Sequence, residues 1–235
     1  MKTTRTVATF AFAMTIVGQR LDAQDLSRYR AFELGTNVAA ISTLTGVASS
    51  DVTTIHQRPV LLQDLTWTPS RWTPGSTADS TDPVERVAFS FCNDHVFQIV
   101  VDYGHDRTLG MTDADMIEAI SAVYGPSVKP SVKPTQGSAQ VQSQVEIESG
   151  APIARWGDTE HAVVLYRRSS YREAFRLIVT DLAVADLARK GAIEALRLDA
   201  QEAPQREIAR QQKERDDARS AADKARNENK GLFTP

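Results

Sequence analysis

The residue types that could do chemistry are concentrated between Asp102 and Met116, in the stretch DYGHDRTLGMTDADM. Carboxylates and imidazole at short spacing are the groups from which metal sites and acid–base pairs are built. Asp102, His105 and Asp106 are therefore the candidates for a hydrolytic or metal-dependent site. Their spacing lacks the regular alternation of oxygen ligands in a calcium loop. A structural turn after a strand, where glycine and aspartate are favoured, is the interpretation that we prefer.

The other polar residues of this stretch are explained by the start of a helix. Thr112 is predicted to be the N-cap, with Asp115 as its capping-box partner three residues later. Asp113 falls in the first turn, where the helix dipole favours a negative charge. An apolar stripe at helical spacing follows, and Gly125 ends the predicted helix over 112–124.

Two further sets of residues are candidates for binding. The segment RRSSYREAFR is predicted to be a hairpin tip, whose arginines and tyrosines could hold an anionic ligand or an acidic partner. An exposed tip kept soluble by long side chains is the alternative. Tryptophans in proline-containing loops can stack on a sugar or a peptide, but Trp67 and Trp156 are predicted to cover the core instead. The binding candidates are Arg167, Arg168, Tyr171, Arg172 and Trp72.

The sequence lacks the motifs of common catalytic and cofactor sites. It has no H-E-x-x-H, G-x-S-x-G, Walker loop, G-x-G-x-x-G or C-x-x-C. The net charge of -3 gives no strong positive field, so nucleic-acid binding through bulk electrostatics is not expected. The single cysteine, Cys92, can form no internal disulfide and is predicted to fill space beside a turn. We therefore predict no cofactor and no metal.

The first residues have the pattern of a secretory signal. Lys2 and Arg5 precede an apolar run from Val7 to Gly18, and Ala23 fits a cleavage site, which predicts a signal peptide over 1–23. An uncleaved anchor is the alternative, but the run is shorter than the roughly 20 apolar residues of a spanning helix. We expect an exported protein, periplasmic or secreted, with no membrane span after signal removal.

Alternating apolar residues predict an α+β fold built on two antiparallel β-hairpins, in one sheet or in two. The first hairpin covers VERVAFSFCNDHVFQIVVDYG, and the second joins His161–Arg167 to Phe175–Asp181. The first is predicted to turn at Asn93-Asp94. Val87, Phe89 and Phe91 are predicted to share one face of its first strand, and Phe97, Ile99 and Val101 one face of its second strand.

Helices are predicted near 36–45, 112–124 and 185–200, all on one face of the sheet, with Thr36 capping the first. Beyond Pro204 the segment QREIARQQKERDDARSAADKARNENK has 6 acidic and 8 basic residues and a single large aliphatic one, so it predicts a separate exposed helix or tail. Its predicted ion pairs are Glu207/Arg210, Asp216/Arg219 and Asp223/Arg226. The predicted organisation is a signal at 1–23, an α+β unit at 24–126, a linker rich in Pro, Ser and Gln at 127–150, a second hairpin and helix at 151–203, and a charged helical tail at 204–235.

Several of these segments also carry a resemblance to known proteins. The succession of YRAFELGTNVAAISTLTG, IHQRPVLLQDLTW, MTDADMIEAISAVYG and ALRLDAQEAPQREIARQ resembles an uncharacterised family of exported bacterial proteins. More distantly, the phrase from Phe32 to Ala40 resembles the opening of small periplasmic α+β domains of the outer-membrane-assembly lipoprotein and β-lactamase-inhibitor type. This chain differs from those domains in lacking a lipidated cysteine and in having a second hairpin and a charged tail.

The distant resemblance implies a binding or scaffold role, since those domains are binding and scaffold modules. We therefore expect a non-enzymatic binding or assembly module, whose partner is another envelope protein or a peptide. An exported hydrolase or metal-dependent enzyme that uses Asp102, His105 and Asp106 is the alternative function.

Overall fold

The structure is a computed structural model that describes residues 25–69, 82–129, 149–168 and 173–232. The predicted signal peptide and most of the predicted linker lie outside the described residues, as do Trp72, Tyr171 and Arg172. The strands are β1 (Arg28–Tyr29), β2 (Phe32–Glu33), β3 (Thr53–His56), β4 (Leu62–Trp67), β5 (Val84–Cys92), β6 (His95–Gly104), β7 (Ala151–Gly157), β8 (His161–Arg167) and β9 (Glu173–Asp181). The helices are α1 (Val38–Thr45), α2 (His105–Thr108), α3 (Asp113–Tyr124) and α4 (Leu182–Leu232).

Strands β3 to β9 form one seven-stranded sheet, in the order β3-β4-β5-β6-β9-β8-β7. All neighbouring pairs in it are antiparallel. Both predicted hairpins are present, as β5–β6 and β8–β9. Because β6 also pairs with β9, the two hairpins share one sheet. The predicted α+β class is confirmed.

The two faces of this sheet are covered by different helices. Side chains of one face form the main core with α1 and α3, which contribute Ile41 and Met116 among others. The first turns of α4 pack on the opposite face, where Ala188 contacts a cluster that includes Leu62 and Cys92. The prediction that all the helices lie on one face was therefore wrong. Successive strand residues point to opposite faces, and Leu62 at the start of β4 and Cys92 at the end of β5 provide α4 with a second surface.

The predicted turn of the first hairpin is confirmed, but the strand pairing beyond the turn does not keep the register of a regular two-residue hairpin. Asn93 and Asp94 both have positive φ, 50° and 72°, as a type I′ turn requires. A bulge beside Ser90 then shifts the pairing by one residue. As a result Phe97 packs with the α4 cluster and not in the main core, which corrects the prediction for that residue.

The helix ends follow from local capping. Thr112 and Asp115 form the predicted capping box, with both reciprocal hydrogen bonds present. The cap of α1 is Asn37 and not Thr36, since the Asn37 side chain accepts a hydrogen bond from the Ala40 N–H at 2.9 Å. An asparagine oxygen is at least as good an N-cap acceptor as a threonine hydroxyl, which explains the one-residue error.

Helix α4 is continuous through Pro204, so the helix and the tail predicted on either side of that proline are one element. A proline inside a helix removes one backbone hydrogen bond and crowds the preceding turn. Contacts around the proline support continuity here. Arg206 donates to Asp199 across the proline at 2.7 Å, and Glu202, just before it, pairs with Arg58 of the β3–β4 connection. Within the described residues, no helix is both long enough and apolar enough to cross a membrane.

Gly191 permits the close approach of α4 to the β3–β4 connection. A Cβ atom at this position would lie 2.8 Å from Cγ2 of Val60 and 2.9 Å from its Cβ. We expect Gly191→Ala to lower the free energy of unfolding by about 1 kcal/mol or more, because the steric cost exceeds the helix-propensity gain of up to ~1 kcal/mol. Urea denaturation measures this change.

Gly231→Ala is the matched control, since nothing lies within 4 Å of a Cβ built there. Shortening the neighbour in the double variant Gly191→Ala/Val60→Ala is expected to recover part of the loss. If Gly191→Ala stabilises the protein as helix propensity alone predicts, the packing argument is wrong.

Candidate functional site

The strand register places one aspartate between two arginines in the middle of the sheet. On β6, Asp102 lies opposite Arg86 of β5 and opposite Arg176 of β9. Asp102 is only 1% exposed and Arg176 only 6%. The cluster lies on the sheet face opposite the main core, because its members alternate along the strands with core residues such as Val101.

Five hydrogen bonds converge on the Asp102 carboxylate. Arg86 donates to Oδ2 from Nε at 3.0 Å and from Nη2 at 2.6 Å. Arg176 donates from Nε to Oδ1 at 2.6 Å and from Nη2 to Oδ2 at 3.0 Å, and its Nη1 donates to the Ser149 hydroxyl at 3.2 Å. Arg168 adds a bond from Nη1 to Oδ1 at 3.2 Å. A carboxylate has about four lone-pair sites, so its acceptor capacity is fully used.

The electrostatics of the cluster keep Asp102 ionised. Burial by itself would raise the pKa of Asp102, but hydrogen bonds from Arg176 and Arg86 outweigh burial and lower the pKa below its usual value. A general base must release its hydrogen bonds to accept a proton, and a metal ligand must give up acceptor sites. This carboxylate is therefore placed to hold three strands together and is poorly placed for either reaction.

The structure does not bring the three candidates Asp102, His105 and Asp106 together as a metal site. His105 and Asp106 begin the short helix α2, where Asp106 is exposed and His105 is half-buried. Thr108 closes this helix by donating from its hydroxyl to the Gly104 carbonyl at 2.9 Å. Across the described ranges, no group of three or more His, Cys, Asp and Glu side chains could hold a metal ion. The preferred reading, a turn after a strand, thus becomes a single helical turn.

Two of the predicted binding arginines make contacts within the fold. Arg167 donates from Nε to Asp113 Oδ1 at 2.6 Å, and its guanidinium lies 4.7 Å from the centre of the Phe175 ring. Arg168 belongs to the Asp102 cluster. Tyr171, Arg172 and Trp72 lie outside the described residues. In the described part of the hairpin tip, the guanidinium groups connect β8 to the first turn of α3 and to Asp102.

Trp67 and Trp156 cover the core, as predicted. Trp156 is 2% exposed, and its Nε1–H donates to the Gly125 carbonyl at 2.8 Å and also lies 3.2 Å from the Ser121 hydroxyl. Trp67 is half-buried and meets the Phe32 ring edge to face at 5.5 Å. A buried indole with a satisfied N–H is a packing element, so Trp156 is not available for stacking on a ligand, and the Trp67 ring packs against Phe32 of the core.

Cys92 and the buried tyrosines are also structural. Cys92 is 3% exposed, and burial raises the pKa of its thiol, which disfavours the reactive thiolate. Burial likewise raises the pKa of Tyr29, Tyr103 and Tyr124. The Tyr124 hydroxyl donates to the Arg28 carbonyl at 2.7 Å. These neutral phenols belong to the main core and come from β1, β6 and α3.

The largest exposed element of the described chain is the distal part of α4. Every residue from 203 to 231 is exposed, whereas the first turns of the helix are buried on the sheet through residues such as Ala188 and Ala195. At 1.5 Å per residue, the exposed part extends about 40 Å. We call it the projecting helix. Between 203 and 231 its one large apolar side chain is Ile208, which is 64% exposed.

No protein-family model, curated protein or solved structure matches this chain. Function therefore has to follow from the geometry of the chain itself. That geometry has a buried and fully bonded polar cluster in the sheet and a long charged helix outside it.

Proposed function

We propose that this chain is an exported, non-enzymatic binding or assembly module that contacts its partner through the projecting helix. The observation that carries the proposal is the continuous exposure of residues 203–231 on a helix rooted in the sheet. Export is supported by the signal-like pattern of residues 1–23. The distant resemblance to periplasmic binding and scaffold domains agrees with this role.

A long helix without an apolar face needs a physical reason to exist. A helix that is polar all round bridges to another body, is held by many side-chain pairs along it, or is not stable. Pairs hold the base of this one: Arg210 contacts both Glu207 and Glu214 at 2.7 Å. Docking of the first turns on the sheet supplies the costly helix nucleus. The distal turns have neither kind of support within the described chain, which favours a partner there.

The sheet edges are poorer docking surfaces than the helix. Strand β3 at one edge has only four residues and a bulge between Thr54 and His56, two features that discourage pairing with another strand. Strand β7 at the other edge is bridged by Val128, which exchanges two backbone hydrogen bonds with Arg155. Strand addition at either edge is therefore disfavoured, and the helix is the better candidate interface.

Site-specific photo-cross-linking in the living host tests this function. A photoreactive amino acid is placed in the full chain at Gln212 or Ser220 of the projecting helix, and at the exposed residues Thr54 and Glu118 as controls. We expect the helix positions to give discrete adducts of one protein. The control positions should give none, because the contact depends on helix position.

Two results would contradict the proposal. One is that cross-links form equally at all four positions, which indicates random encounters. The other is that the helix positions give no adduct while the protein is present at normal levels. Mass spectrometry of the adducts identifies the partner in the positive case.

A further inference from the structure

Four cations lie along one side of the projecting helix, and we call them the basic stripe: Arg215, Arg219, Arg226 and Lys230. Their spacings of about four, seven and four residues return to the same side of a helix with 3.6 residues per turn. The stripe covers about 22 Å of helix axis. All four residues are exposed.

The stripe differs in its ion pairing from the base of the same helix. At the base, Arg206 pairs with Asp199 at 2.7 Å, and Arg210 pairs with Glu207 and Glu214. Within 203–231, where the side chains are described, no salt bridge involves a member of the stripe. The predicted pairs Asp216/Arg219 and Asp223/Arg226 do not form, while the predicted pair Glu207/Arg210 does.

Arg215 donates a hydrogen bond from Nε to the Gln211 carbonyl at 3.2 Å. The stripe thus presents a row of guanidinium and ammonium groups without intrahelical carboxylate partners. Such a row is complementary to carboxylates arranged at helical spacing on another surface, because arginine binds a carboxylate through two parallel hydrogen bonds.

The composition around the stripe discriminates between classes of anion. A helix that binds a lipid surface needs a broad apolar face, and residues 205–230 contain only one large aliphatic residue, Ile208. Asp216 and Asp223 flank the stripe, and their carboxylates repel the dense negative charge of a nucleic acid. The net charge of -3 on the whole chain acts in the same direction. Discrete carboxylates on a protein match this mixed pattern best.

We infer that the basic stripe binds an acidic protein surface, one that presents carboxylates along a helix or a comparable row. The inference rests on the proposed function, since it names the chemistry of the partner that the projecting helix contacts. It excludes membrane lipid and nucleic acid as the primary ligand.

The test compares two variants of the full chain that lose the same charge. The stripe variant is Arg215→Gln, Arg219→Gln, Arg226→Gln and Lys230→Gln. The control variant removes four cations from the other side of the same helix: Arg206→Gln, Arg210→Gln, Lys213→Gln and Lys224→Gln. The probe is a helical Glu-Ala peptide whose glutamates repeat the stripe's spacing, with a glutamine version of the peptide as its blank. Fluorescence anisotropy measures binding, and circular dichroism checks helicity.

We expect salt-sensitive binding of the glutamate peptide to the unmodified chain, and binding about tenfold weaker to the stripe variant, since four exposed ion pairs each contribute modestly. For the control variant, binding of the peptide should weaken less than about threefold, because its four cations lie on the other side of the helix and make no ion pairs with the peptide. Equal losses in both variants would show bulk attraction only and overturn the inference. So would an absence of peptide binding at low salt.

Competing ligands are tested directly. Tighter binding to vesicles of phosphatidylcholine and phosphatidylglycerol, or to duplex DNA, than to the glutamate peptide would overturn the inference. Self-association in sedimentation that the stripe substitutions abolish would make a second copy the occupant and also overturn it.

Photo-cross-linking at Ser220 separates the two proposals: adducts that persist in the stripe variant leave the proposed function standing and remove the acidic-partner inference.

Discussion

Replacing Asp102 by alanine is expected to lower the free energy of unfolding by about 3–5 kcal/mol, because it leaves buried guanidinium charge uncompensated. Arg176, 6% exposed, then loses both of its hydrogen bonds to the carboxylate, and Arg86 loses two more. Urea denaturation measures the loss. Asp106→Ala is the matched control: its side chain is exposed on the next element, and a change within about 0.5 kcal/mol is expected.

The contribution of the Asp102 carboxylate to stability also depends on pH. The pKa of Asp102 is lower in the folded chain than in the unfolded one, so its contribution is present above about pH 4 and is lost as the pH falls below that value. The unmodified protein should therefore lose stability on acidification more steeply than Asp102→Asn. The measurement runs from about pH 6 to about pH 2, a range that includes the ordinary pKa of aspartate. If the two proteins have parallel stability curves over this range, the arginine cluster does not hold the carboxylate as described.

Replacing Trp156 by alanine is expected to cost about 3–5 kcal/mol of unfolding free energy, a loss of the same order. The indole is among the largest fully buried side chains described, and its N–H satisfies the Gly125 carbonyl at the end of α3. Removal leaves a cavity between β7 and α3 and an unpaired carbonyl. Denaturation followed by circular dichroism measures it, because the substitution removes one of the three indoles that contribute to the fluorescence signal.

Two comparisons separate the components of the Trp156 effect. Trp156→Phe retains most of the buried area and loses the N–H, so a loss of about 1–3 kcal/mol is expected. Trp67→Ala is a control at a half-buried indole, and a smaller loss than for Trp156→Ala is expected. If Trp67→Ala lowers the unfolding free energy as much as Trp156→Ala or more, burial does not determine which indole contributes more to stability.

Both predictions depend on contacts that the sequence could not reveal. In a hairpin that turns at Asn93-Asp94 without a bulge, Arg86 would pair with Val101. The bulge beside Ser90 moves Arg86 opposite Asp102 and also separates Phe97 from Ile99 and Val101. A bulge is set by packing on both faces of a sheet, so single-chain alternation does not locate it. Arg86 was missed for this reason, although its place on the polar face of VERVAFS was visible.

The roles of the candidate site residues changed for a similar reason. Arg167 and Arg168 were two of the five binding candidates from composition, and their guanidinium groups contact Asp113 and Asp102 in the fold. Asp102 was one of three candidates for the alternative, enzymatic site, and three arginines surround it. A charge in sequence is either a partner of another charge in the fold or available to a ligand, and only the tertiary pairing distinguishes these two cases.

The sequence by itself determined the local features of this protein: the β5–β6 turn, the capping box of α3, the second hairpin and the charged helix. Each of these depends on residues a few positions apart, whose periodicity and backbone preferences are readable in one chain. The tertiary structure alone decided that the hairpins join through β6 and β9, that α4 lies on the second face, and that Asp102 is enclosed by arginines. Those outcomes depend on residues about 70 positions apart in the chain, such as Asp102 and Arg176. Packing brings such residues together, and no local pattern records which of them will meet.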